Sequence, residues 1–142
     1  FHVVSSNLTG PRLTGLEGLT NVILYRDTLD DAGLLERYQQ SDILFLPLLN
    51  STANNALLEG IACGLPVVST YLPSVKAYLP GNEAVLIKDN DPRQFVEVIL
   101  RLSHTPEDAK NMAREARKRA EALDWRNIAP QYEAVYSKLT GK

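Results

Sequence analysis

The sequence predicts an α/β fold, a doubly wound parallel sheet with C-terminal helices, and three observations carry that expectation. Short apolar runs at 1–4, 22–25, 43–46, 66–69 and 84–87 read as five strands. Residues 42–70 read in succession as strand, loop, helix, tight turn and strand, which is half of a doubly wound unit. Beyond Pro92 the apolar residues recur only at helical spacing.

Taken in order, residues 1–4 form the first strand, and 5–20 form a loop broken by Gly10, Pro11, Gly15 and Gly18, with room for one turn at 13–19. The strand at 22–25 follows. Leu34, Leu35 and Tyr38 mark a helix over 30–40, capped by Asp30 or Asp31. The strand at 43–46 ends at Pro47, which has no N–H to donate. Asn54 and Asn55 are both N-cap candidates for the next helix. Gly64 suits the left-handed position that closes it, and Pro66 stops its continuation. After the strand at 66–69, the residue before Pro73 should be extended, with a short helix over 74–79. Asp89, Asn90 and Asp91 before Pro92 signal a helix start.

Three apolar stripes then follow. Phe95, Val98, Ile99 and Leu102 form the first. Ala109, Met112, Ala113, Ala116, Ala120 and Leu123 form the second, and Ile128, Tyr132, Val135, Tyr136 and Leu139 the third. Arg114, Arg117, Lys118 and Arg119 surround the second stripe, interleaved with Glu115 and Glu121. A solvated face is the expected reading, with an interaction patch as the alternative. Trp125 and the tyrosines are expected to pack rather than to stack on a ligand.

In a doubly wound sheet ligands bind outside the carboxyl ends of the strands. The helix that begins near Asn54 points free first-turn amides toward that crevice, which favours an anion, above all a phosphate. Glu59 lies four residues beyond Asn55, and helical side chains tilt toward the N-terminus. Its carboxylate therefore leans back over the first turn, where it can accept from two neighbouring hydroxyls, as in a ribose. A plain surface glutamate is the other reading of that position.

Residues 42–70 resemble the nucleotide-sugar-binding segment of the retaining GT-B glycosyltransferases of group 1, the GT4 type. Asp42, Pro47, Glu59, Ala62, Gly64, Pro66, Val67, Val68 and Thr70 fall on the family pattern in one continuous register. The resemblance implies a Rossmann-like C-terminal domain, 1–142, that binds a nucleoside diphosphate sugar. It assigns Glu59 to the ribose, and Ser51, Thr52, Ala53, Asn54, Asn55 and Ala56 to the loop that meets the donor sugar and diphosphate. Ser51 stands where the family has the first of two acids, Leu48 where it has serine, and Gly60 where it has alanine. Ala77 replaces a further glutamate, and Ser5 and Arg26 or Asp27 replace glycines after the first two strands.

The resemblance also implies metal-free retaining transfer to an acceptor hydroxyl, with no cofactor. The acceptor domain, the diphosphate-binding cations and the first strand of the sheet would lie upstream. That strand would sit centrally, beside the strands at 1–4 and 43–46, so the chain alone is expected to aggregate or associate through the open edge.

Composition narrows the other classes. The chain has 142 residues, 44% apolar and 23% charged, enough for one cored domain. A net charge of -2 offers no electrostatic case for nucleic acid. One cysteine, Cys63, excludes an internal disulfide and fits a reducing, cytoplasmic setting, and no apolar run approaches the roughly 20 residues of a membrane span. Cys63 reads as structural, and His2 and His104 have no metal-like companion. There is no G-x-G-x-x-G or P-loop lysine. Two alternatives stay open: a GT-B-like scaffold or nucleotide-binding module without catalysis, and an unrelated Rossmann-like domain.

Overall fold

The computed structural model describes residues 1–5 and 15–141. Gly10, Pro11 and part of the turn expected at 13–19 lie outside the described residues. The chain divides into two compact units, Phe1–Gln40 and Ser41–Lys142.

In the first unit, β1 (His2–Val4) pairs in parallel with β2 (Ile23–Tyr25), and α1 (Asp31–Gln39) follows. Asp30, not Asp31, is the cap: its carboxylate accepts from the Gly33 amide at 2.8 Å. Tyr25 joins β1, β2 and α1 through its contacts. His2 stacks on it, and Arg37 both donates to its hydroxyl at 3.1 Å and lies 5.7 Å from its ring centroid.

The second unit runs β3 (Leu44–Leu46), α2 (Asn55–Ala62), β4 (Val67–Thr70), α3 (Pro73–Tyr78), β5 (Ala84–Ile87), α4 (Pro92–His104), α5 (Pro106–Ala122) and α6 (Trp125–Thr140). Its three strands are parallel in the order β3-β4-β5. Each pairing in both sheets is one that the expected fold requires.

β4 is buried throughout, as a central parallel strand must be. Its alternation builds two cores. Val67 joins Leu57, Ile61, Val75, Leu79 and Ala116, from α2, α3 and α5. Val68 turns the other way to Ile87, Phe95 and Leu102, beneath α4. Helices thus cover both faces of this sheet, the meaning of doubly wound.

Local signals placed most boundaries. Gly64 adopts φ +76° after α2, a conformation that costs a glycine little. Leu72 is extended before Pro73, and Asp91 caps α4 through the Arg93 amide. One feature departs from expectation: a 3₁₀ turn, Lys88–Asn90, separates β5 from α4, with Asp89 and Asn90 both left-handed. Short polar side chains tolerate that region better than other non-glycine residues.

Two other expectations need correction. Arg117 and Arg119 do not simply face solvent. Arg119 donates to the Tyr78 carbonyl at 2.6 Å and to Ala77, and Arg117 donates to the Ala62 carbonyl. They satisfy orphan carbonyls at the C-termini of α3 and α2, where a cation also meets the negative end of the helix dipole. The third stripe forms on α6 but is not a core. Tyr132, Val135, Tyr136 and Leu139 are exposed, and Trp125 is 74% exposed, with Tyr132 as its aromatic neighbour. Helical periodicity established the face, but it could not establish that anything covers it. Among the described residues no helix is long and apolar enough to cross a membrane.

Candidate functional site

The site candidates lie at the carboxyl end of β3 and along α2. Asn54 resolves the choice of cap: extended at φ -142°, it accepts from the Leu57 amide at 3.0 Å through its side chain. Asn55 and Ala56 therefore begin the helix. Among the described residues their amides have no protein acceptor, as geometry demands of a first turn. No acid occupies that turn itself, which suits an anion there.

Ser51, Thr52 and Ala53 form the approach to the cap. Thr52 and Ala53 are exposed and Ser51 is half-buried, its hydroxyl reaching the Ala53 carbonyl at 3.4 Å. Glu59 is exposed on the next turn of α2, on the same helix as the open amides. The structure thus brings the loop and the helix start together in one segment, with Glu59 just beyond.

Several hydroxyl contacts at this end of the sheet were not foreseen. Ser69 donates to the Leu46 carbonyl at 2.7 Å, pinning the end of β3 to β4. Thr70 donates to the Asn90 side chain at 2.8 Å, which ties β4 to the left-handed turn. Ser74 donates to the Ser51 carbonyl at 2.5 Å. Only the Asp-Asn-Asp run carried a sequence signal, as a helix start; the partners in these bonds stand at least 20 residues apart.

Cys63 caps the far end of α2. Burial raises its thiol above the usual range and Glu59 adds to this, while Arg117 opposes it, so the protonated, structural form is favoured. A cleft of about 500 Å³ opens beside Ala62, where α5 meets α6. Its charges satisfy one another. Arg117 pairs with Glu121 at 3.0 Å, and Arg126 bonds Asp124, holding that carboxyl down to about 2. It lies at the opposite end of α2 from the open amides and offers no free charge to a diphosphate.

With this geometry established, comparison with known proteins decides the family. The family model described as glycosyl transferases group 1 matches residues 1–105. The chain belongs to that family. This group 1 domain is 25% identical over 128 residues to a D-inositol 3-phosphate glycosyltransferase of Streptomyces bingchenggensis, covering 89% of this chain and 28% of the relative. A protein of the same description from Corynebacterium urealyticum is 25% identical over 143 residues, covering 92% of this chain and 34% of the relative. The chain therefore spans about a third or less of the curated relatives it matches. Among solved structures, sucrose-phosphate synthase from Thermosynechococcus elongatus superimposes with a TM-score of 0.73 at 23% identity, over 84% of this chain and 30% of that one. The likeness shows the Rossmann-like α/β fold of the group 1 domain.

Proposed function

We propose that this domain binds the nucleoside diphosphate of a sugar donor, for retaining transfer of the sugar to an acceptor hydroxyl. The observation that carries the reading is the acid-free start of α2, with open amides at Asn55 and Ala56 and Glu59 one turn on. As the glycosidic bond breaks, the leaving diphosphate gains charge. Preorganised amides stabilise it without reorganisation during the reaction. Glu59 accepts the ribose hydroxyls, and the backbone of 51–54 faces the sugar and diphosphate. In this reading no metal or cofactor takes part, and the protein works in a reducing, cytoplasmic setting. The upstream part of a longer protein supplies the acceptor site, further cations for the diphosphate and a strand for the edge of β3 that faces away from β4. Family membership and the curated relatives support transfer chemistry.

Calorimetry on the full-length protein tests the reading. Uridine, guanosine or adenosine diphosphate is expected to bind far more tightly than its parent nucleoside. Equal affinity for nucleoside and diphosphate would remove the helix start from the site. Ser51→Glu restores the acid of the family pattern, where the serine hydroxyl meets a sugar hydroxyl only through water. It is expected to alter relative rates among donor sugars while leaving diphosphate affinity nearly unchanged. Identical donor ratios before and after would show that position 51 does not face the sugar. The departures at Ser51 and Ala77 favour a second reading, a nucleotide-binding module without transfer. Tight diphosphate binding with no turnover on any donor would select it.

A further inference from the structure

We propose that Ser74 is a positioning residue for the donor loop, fixing through the Ser51 carbonyl the direction in which the Thr52 amide faces. The inference rests on the reading above, that residues 51–56 receive the donor.

The loop is weakly held. Leu49 is 87% exposed, Asn50, Thr52 and Ala53 are exposed, and the internal Ser51–Ala53 contact is long. Among the described residues, the bond from Ser74 Oγ to the Ser51 carbonyl, 2.5 Å across 23 positions, is the only hydrogen bond from residues 49–53 to another element. Its donor sits on firm ground. α3 is anchored by Val75 and Leu79, 2% and 0% exposed, and Arg119 holds its C-terminal carbonyls.

A planar trans peptide then transmits the constraint. The Ser51 carbonyl and the Thr52 N–H belong to one rigid plane and point in opposite directions. Holding the carbonyl on α3 turns the Thr52 amide away from α3, and among the described residues that amide has no protein acceptor. Ser74 touches no ligand in this arrangement. It presets one of the loop's donors, so the ordering does not have to be done when the donor arrives.

The test compares Ser74→Ala and Ser74→Thr with the unaltered full-length protein, by calorimetry against uridine, guanosine and adenosine diphosphates and the parent nucleosides. Ser74→Ala is expected to weaken binding of the preferred diphosphate about two- to tenfold, the range of one hydrogen bond. Nucleoside affinity should be unchanged, and Ser74→Thr, which keeps the hydroxyl, should restore the diphosphate value. Unchanged diphosphate affinity in Ser74→Ala overturns the proposal. So does an equal loss for diphosphate and nucleoside, which is the mark of general loosening. If the unaltered protein binds no diphosphate at all, the reading of the site fails first and this inference falls with it.

Discussion

Glu59→Gln in the full-length protein is expected to weaken nucleoside diphosphate binding roughly tenfold to a hundredfold. The magnitude follows from the loss of charge-assisted hydrogen bonds to a ribose diol, on the order of 1.5–3 kcal/mol. Glutamine keeps the length and shape of the side chain but removes the charge, and one of its two termini becomes a donor. A 2′-deoxyribonucleoside diphosphate supplies the control. It lacks one hydroxyl, so the difference between glutamate and glutamine should shrink markedly with that ligand. Because Glu59 is exposed, thermal melting measured alongside separates a binding loss from a folding loss. Equal affinity of the two proteins for the ribonucleoside diphosphate would leave Glu59 a surface residue of α2.

Gly60→Ala is expected to destabilise the fold although alanine is the better helix former. A Cβ at Gly60 would lie 2.4 Å from Leu44 Cδ2 and 3.3 Å from Leu44 Cγ, so the Leu44 side chain must move. Leu44 is partly buried and packs against the core around Leu57 and Ile61. Overpacking costs about 1–3 kcal/mol, and the helix propensity of alanine returns about 1 kcal/mol, leaving a net loss of up to about 2 kcal/mol. The decisive measurement is a double-mutant cycle with Leu44→Ala. That change alone opens a cavity beside Gly60 and, with Leu44 only partly buried, should cost roughly 1–2 kcal/mol. With alanine at position 60 the new methyl occupies part of the cavity, so the pair should cost less than the sum by about 0.5 kcal/mol or more. Additive denaturant midpoints would show that α2 and β3 are not in contact at this point. Glycine here, where the resemblance calls for alanine, thus has a physical partner in the leucine opposite.

The elements were legible where their causes are local. Asn54 could be named as one of two caps because the backbone amide that donates to a cap's side chain lies within the next turn. Gly64 and Pro66 ended α2 because one tolerates a positive φ and the other lacks an N–H. β4 was readable as a short apolar run, and because strand side chains alternate faces its two adjacent valines serve two cores. The register over 42–70, which led to the family, is likewise a matter of spacing along one continuous segment.

What stayed hidden involves partners distant in the chain. Whether Arg117 and Arg119 met water or a carbonyl depended on where α2 and α3 end, 55 and 41 positions away. The amphipathic pattern of α6 was readable, yet its exposure was not, since a stripe states which residues share a face and nothing about what lies against it. The same holds for the donor loop. Its asparagine cap and its glutamate follow from helix geometry within a few residues. The hold of Ser74 on Ser51 arises only when β4 and α3 are laid beside β3, because a hydroxyl's partner is chosen by position in space and no local period encodes it.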